Sequence, residues 1–501
     1  MPQYHKIAGP PGTGKTTALL NIVDDLLKKE VPANRILYTT FTRAGANEAK
    51  DRAQNAFSLS DDKLCFFRTL HSLCLRQLRS HKSILSPLDW ITIGKTSGFF
   101  FSLRKKEGES LLTGTTKGDH ILNVIAIARN FQITLEQAHR NYPDSHRYTL
   151  LELHYLNKLI TEYKEAHDKL DYTDLLEIAL RDNLALDVDY AIGDEMQDLT
   201  PLQWQVFISL ARKAQHIWLA GDDDQCLYEW AGASAELFIK APGDLTVLDQ
   251  SYRIAQKIHP LAESVVQRIS NRLPKLYRPR DYQGTVELNV PLSSVDMSEG
   301  EWLVLVRNQT FAKDLAAYCI YKGWSFITEI PLDGVSTKVL TATQTWNQLM
   351  DGNQLSGKAL KALSAYLKKG VITFGYKQVW AAMHDDDYYD KDALKKDFGL
   401  AGEGSWSMCL KLTGEDKSFL QSLEKQGTIN DKPRIEISSI HGAKGRERDN
   451  VLLCVDQTNR TKTSQEENPD PEHRVWYVGV TRAKNRLVVL QPLTLNYYDI
   501  L

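Results

Sequence analysis

The sequence predicts an α/β protein built on parallel sheets, and three stretches predict it. A glycine-rich turn, Gly9-Pro10-Pro11-Gly12-Thr13-Gly14-Lys15-Thr16, separates a short apolar segment from the helical run Thr17-Ala18-Leu19-Leu20-Asn21-Ile22-Val23. A β-rich run, Arg35 to Thr40, leads into an alanine-rich helical run from Ala44 to Phe57. Far downstream, Asp187 to Gly193 reads as an apolar strand ending in Asp194-Glu195. Strands that alternate with helices indicate parallel pairing, because parallel neighbours must be joined by a crossover.

The first stretch fits the phosphate-loop pattern of Gly, four residues and Gly-Lys-Thr at every required position. Its glycines allow backbone angles that let successive amides turn toward a triphosphate, and the helix from Lys15, Thr16 and Thr17 onward aims its positive end at the same charge. Lys15 is expected to reach the β- and γ-phosphates and Thr16 to hold Mg²⁺. This predicts nucleotide binding and leaves the use of the energy open.

Val31-Pro32-Ala33-Asn34 is a turn signal before the second strand. Beyond that strand, Thr42 and Arg43 stand where a second ligand can meet the edge of a parallel sheet, although Thr42 is equally suited to cap a helix. Thr69 and His71 repeat the arrangement at the next junction, where a lone histidine reads first as a structural one. From about Arg76 to Leu170 the pattern is helical, with basic groups such as Arg104-Lys105-Lys106 that read as a solvated face. Asp194 then suits an Mg²⁺ shell, and Glu195 suits orienting or deprotonating a water. The strand His216 to Ala220 ends in Gly221-Asp222-Asp223-Asp224-Gln225, where Gln225 can sense a γ-phosphate. Trp230, a few residues on, is either a core aromatic or a stacking platform for a base.

At 501 residues and 42 % hydrophobic content, the chain can bury several cores. A net charge of -2 gives no global attraction to nucleic acid, so a polyanion site must be a local groove. Six scattered cysteines, with no Cys-x-x-Cys pair, argue against zinc and iron–sulfur sites. The N-terminus has no apolar leader and no run is long enough to span a bilayer, so a cytoplasmic protein without membrane partners is expected.

The ordered stretches resemble the UvrD/Rep/PcrA-like helicases of superfamily 1. Those quoted so far correspond to that family's motifs I, Ia, Ib, II and III. Leu248-Asp249-Gln250-Ser251-Tyr252-Arg253 is similar to motif IV, Ile440-His441-Gly442-Ala443-Lys444-Gly445-Arg446-Glu447 to motif V, and Val475 to Lys484 to motif VI. The resemblance implies two RecA-like parallel-sheet motor domains, each with an inserted subdomain and with ATP between them. It implies a first core over 1–75 and 171–255, a helical insertion over 76–170, a second core over 256–330 and 433–501, and a reduced second insertion over 331–432. It further implies that Tyr252 stacks on the base of ATP, that Arg253 and Arg482 reach the γ-phosphate from the second core, and that Gly445 and Glu447 line the nucleotide site. Thr42, Arg43, Thr69, His71, Trp230, Arg307 and His441 would meet DNA. Stacking of about 1–3 kcal/mol per base depends weakly on sequence, which suits a motor.

The chain departs from that family's pattern in four places. The family's glutamine motif, upstream of the phosphate loop, is not expected in this sequence, since Gln3 is too close to the loop. Ala231 stands where arginine is common. Arg446 and Arg448 replace two apolar residues of motif V, and at least one is expected to add positive charge to the strand track or cleft. The second insertion is short and includes an acidic, aromatic loop, His384 to Asp390. Thr461 to His473, polar and acidic, is expected to be a surface loop. The resemblance therefore implies an ATP- and Mg²⁺-dependent translocase and helicase acting on single-stranded DNA and single/double-strand junctions with 3′→5′ polarity. A DNA-stimulated ATPase that remodels protein–DNA complexes, and a nucleotide-switched binding module, are the alternatives.

Overall fold

A computed structural model describes residues 2–40, 43–60, 62–78, 81–102, 116–142, 144–229, 232–332 and 337–500. The chain divides into two compact units. The first comprises Met1–His259, Glu263–Asp281 and Asn468–Tyr477; the second comprises Pro260–Ala262, Tyr282–Glu467 and Val478–Leu501.

The first unit is organised on five parallel strands: β1 (Gln3–Ala8), β2 (Ile36–Thr39), β3 (Tyr190–Gly193), β4 (His216–Gly221) and β5 (Asp244–Val247). Their order across the sheet is β2-β3-β4-β1-β5, with β1 and β4 in register from Gln3 opposite His216 to Ala8 opposite Gly221. β2 and β3 are short apolar runs, as expected for strands covered on both faces. Leu19, Leu20, Val23 and Ala49 pack with one apolar cluster, and Leu70, Leu202, Val206 and Phe207 with another. All five strands run the same way, so the residues following β1, β3, β4 and β5 gather along one edge.

Between β2 and β3 lies a helical region with its own core. Ile121, Val124, Leu153 and Leu156 from the helices Lys117–Phe131 and Leu150–Ala166 form it. Both helices begin with a capping box, Thr116 with Asp119 and Thr149 with Glu152, which satisfies amide groups otherwise left without partners.

The second unit carries six parallel strands: β6 (Thr285–Val290), β7 (Trp302–Val306), β8 (Phe326–Thr328), β9 (Ile435–Ser439), β10 (Arg448–Cys454) and β11 (Ala483–Leu490). Their order is β8-β9-β7-β10-β11-β6. The helices between β8 and β9 do not form a separate core: Trp346, Trp380 and Trp406 share one apolar cluster with Trp302, Val304 and Phe326 of the sheet.

Two expectations are corrected by the fold. Thr461 to His473 is not a loop, because the helices Asn459–Glu467 and Pro469–Val480 run through it. Its Gln and Glu residues are good helix formers, and a proline at the first helical position loses no hydrogen bond. Arg253, expected to reach the γ-phosphate from the second core although the boundaries 171–255 put it in the first, is not part of the second unit. It follows β5 in the first unit, because Ser251 Oγ donates to Pro11 O at 2.7 Å and Tyr252 N donates to Gly12 O at 2.8 Å.

Candidate active site

The phosphate loop leaves the end of β1, where Gly9 N donates to Gly221 O of β4 at 3.0 Å. Gly12 and Gly14 have φ values of 71° and 76°, in the left-handed region that favours glycine. A Cβ on Gly12 would also lie 2.3 Å from the Arg253 Cβ, so position 12 is constrained by conformation and by close approach. Thr13 braces the turn, with its hydroxyl donating to Pro10 O at 2.8 Å. The helix Lys15–Lys28 starts directly from Gly14.

Lys15 and Thr16 meet the acidic pair that follows β3. Lys15 Nζ is 2.9 Å from Glu195 Oε2 and 4.0 Å from Asp194 Oδ1, and Thr16 Oγ1 donates to Asp194 Oδ2 at 2.9 Å. Asp194 is fixed by its own amide, which donates to Thr39 O at 2.9 Å. Burial opposes the Lys15 charge, but Glu195 and Asp194 beside it outweigh that and hold its pKa above the ordinary lysine value. Burial pushes the Asp194 carboxyl up to about 6 against the pull of Lys15. Glu195 has φ of 55°, an uncommon angle for a residue with a side chain, and it turns the acidic pair sharply out of the strand.

Gln197 is a link that motif reasoning passed over. Its Nε2 donates to Glu195 Oε2 at 2.6 Å, and its Oε1 accepts from Asp222 N at 3.0 Å, joining the turns after β3 and β4. Gln225 in turn donates to Asp222 Oδ2 at 2.6 Å. A polar residue two places beyond the acidic pair was the only sequence signal. Behind this edge, Asp222, Asp223 and Asp224 surround the Lys275 ammonium, and Arg272 binds Asp224 through two bonds of 2.9 and 2.7 Å. Arg474 adds bonds to Asp223 O at 3.0 Å and to Glu229 Oε1 at 3.0 Å. Tyr252 lies beside the loop and is 72 % exposed.

Of the residues expected to meet DNA, Thr42 and Trp230 lie outside the described residues, as do the Arg43 side chain, Ala231 and Arg104 to Lys106. His71 packs edge-on to Tyr172 at 5.9 Å, and Thr69 accepts from Leu73 N at the start of the helix Leu70–Leu78.

In the second unit, Arg307 follows β7 and His441 follows β9 at the same sheet edge, since Ser439 is opposite Val306. Glu447 and Arg482 stand at the other edge, immediately before β10 and β11. Gly445 has φ of 77° on the way between them. Arg482 is buried; its Nε donates to Val478 O at 3.1 Å and its Nη1 to Arg446 O at 3.3 Å. Glu447 pairs with Lys484 at 2.8 Å. Arg446 and Arg448, of which at least one is expected to add positive charge to the strand track or cleft, both pair with Glu436. A carboxylate in a strand with little exposure needs charged partners, and Glu436 takes two, though its single charge balances only one of them.

The first unit is thus a phosphate-loop nucleotide site on a parallel sheet, in a chain with a second parallel-sheet unit. Residues 2–246 match the UvrD/REP helicase N-terminal domain, and residues 410–492 match the UvrD-like helicase C-terminal domain. The chain belongs to the UvrD/Rep/PcrA-like family of superfamily 1 helicases. It is 25 % identical over 314 residues to the ATP-dependent DNA helicase PcrA of Bacillus subtilis, covering 58 % of this chain and 41 % of that protein. It is 27 % identical over 299 residues to the ATP-dependent DNA helicase Rep of Buchnera aphidicola, covering 55 % and 43 % respectively. These matches span less than half the length of each relative. Among the described residues, no helix is long and apolar enough to cross a membrane.

Proposed function

We propose that the chain is an ATP-hydrolysing motor that translocates 3′→5′ on single-stranded DNA and separates duplexes at single/double-strand junctions in the cytoplasm. The observation that carries this reading is the meeting of Lys15 with Glu195 and of Thr16 with Asp194, each at 2.9 Å. That arrangement suits hydrolysis better than binding alone, because a carboxylate suited to water activation stands beside the phosphate lysine. The family membership and the names of the relatives support DNA as the polymer.

Thr16 and Asp194 fit an Mg²⁺ ion: a hydroxyl and a carboxylate already share a hydrogen bond at the end of the phosphate loop. When bound, the ion would neutralise charge on the phosphates. The loop amides and Lys15 hold the triphosphate, Tyr252 stacks on the base, and Glu195 orients water with Gln197 fixing its carboxylate. Gln225 senses the γ-phosphate, and Arg253 and Arg482 stabilise charge that builds on the transferring group. Nucleotide-dependent movement of the units, coupled to contacts from Thr42, Arg43, Thr69, His71, Trp230, Arg307 and His441, gives the step along the strand.

The test is ATP turnover with no nucleic acid, single-stranded DNA, duplex DNA and RNA in parallel, together with unwinding of duplexes bearing a 3′ or a 5′ tail. Strong stimulation by single-stranded DNA and unwinding from the 3′ tail are expected. Turnover indifferent to DNA would refute the motor, and unwinding from the 5′ tail alone would refute the polarity.

A further inference from the structure

The eight residues 440–447 return the chain from one edge of the second sheet to the other. Ser439 is level with Val306 where β9 ends, and Asn450, two residues into β10, is level with Trp302. The segment is short for a crossover between parallel strands and holds only one turn of helix, His441–Ala443. It therefore needs an anchor at its far end. Glu436, the second residue of β9, supplies one from the strand that the segment has just left.

Glu436 is 9 % exposed and uses both carboxylate oxygens. Arg446 Nη1 binds Oε1, and Arg448 Nη2 donates to Oε2 at 3.1 Å. Arg446 also donates to Ser438 Oγ at 3.0 Å and to Gly442 O, and Arg448 Nε lies 3.6 Å from Glu301. The backbones of the same two arginines hold Arg482. Arg482 Nη1 donates to Arg446 O at 3.3 Å, and Arg448 N donates to Arg482 O at 3.2 Å. Planar guanidinium groups on a carboxylate fix direction as well as distance, which apolar side chains at these positions would not do.

We propose that Glu436 is a positioning residue for Arg482, acting through Arg446 and Arg448. The inference rests on the reading of Arg482 as a phosphate-contacting arginine of an ATPase. Loss of the Glu436 charge removes the one partner that the two guanidinium groups share, leaving Arg446 on Ser438 and Gly442 O and Arg448 near Glu301, so the arm 446–448 loosens and Arg482, still bonded to Val478 O, loses its fixed orientation. A misplacement of about 1 Å is enough to lower turnover on the order of 100-fold, without change in the residues that bind nucleotide in the first unit.

The experiment is single-stranded-DNA-stimulated hydrolysis by the full chain and by Glu436→Gln, Arg482→Ala, their double variant and Lys15→Ala, with thermal midpoints recorded for each. Glu436→Gln is expected to lower kcat about tenfold or more with KM for ATP within about twofold, and to have no further effect when Arg482 is already alanine. Amide exchange in the peptide covering 445–449 is expected to quicken in Glu436→Gln at an unchanged midpoint. Wild-type turnover that is lost in Lys15→Ala but unchanged in Glu436→Gln overturns the positioning role alone. Equal losses from Glu436→Gln in the presence and absence of Arg482 also overturn it, by showing a general structural effect. Absence of wild-type turnover, or its survival in Lys15→Ala, overturns the ATPase reading and this inference with it.

Discussion

Three of the clusters of opposite charge among the described residues differ chiefly in burial. Lys275, behind the nucleotide edge of the first unit, has a side chain 1 % exposed among three aspartates. Asp171, at the root of the helical insertion, is 20 % exposed between Arg129 and Lys164. Arg448, on the Glu436 clamp of the second unit, is 35 % exposed. Removal of a charge from a dry cluster leaves its partners without solvent, whereas a partner near water turns outward and is rehydrated. The same chemistry should therefore govern folding in the first place and geometry in the last.

Mutation can break that comparison, beginning with the driest cluster. Lys275→Ala leaves Asp222, Asp223 and Asp224 with Arg272 as their direct charge partner among the described residues, and should cost about 3–5 kcal/mol in urea unfolding. A loss below about 1 kcal/mol would show that the aspartates are protonated or wet.

The intermediate cluster is tested by acid. Burial opposes the Asp171 charge, yet Arg129 and Lys164 hold its carboxyl down at about 2, below the unfolded value near 3.9. A depressed folded pKa gives stability that is present above the unfolded value and lost as pH falls toward the folded one. Asp171 should thus contribute about 2 kcal/mol that disappears between roughly pH 4 and pH 2. Asp171→Asn keeps the helix cap and should flatten that part of the pH profile; an unchanged slope would remove the account.

The smallest stability effect is expected at the clamp. Glu436→Gln should shift unfolding by less than about 1 kcal/mol, because both arginines already reach water. A loss as large as that of Lys275→Ala would mean that the arm folds only on the ion pair.

The parts legible in the sequence are those in which one local pattern carries the whole instruction. Gly9 to Thr16 specifies a turn, a helix start and a charge within eight residues, and Asp194-Glu195 closes an apolar strand. Gln197 and Glu436 were not legible, because their roles exist only after β3 meets β4 and β9 meets the return arm. Arg446 and Arg448 looked like loose positive charge since their partner is at least ten residues upstream in a strand. The anchoring of the Arg253 turn on the phosphate loop was not legible, because that loop lies some 240 residues before it. The segment 461–473 looked like a loop because its polar, proline-containing composition shows no clear apolar face, although its Lys, Gln and Glu residues favour helix.

The central claim is that Lys15, Thr16, Asp194 and Glu195 form a hydrolytic centre driven by single-stranded DNA. It is tested most directly by steady-state ATP turnover of the wild type and Lys15→Ala with and without single-stranded DNA. The account predicts turnover that DNA stimulates and that Lys15→Ala lowers by about 1,000-fold or more. Equal turnover with and without DNA, or multiple-turnover hydrolysis retained by Lys15→Ala, would contradict it.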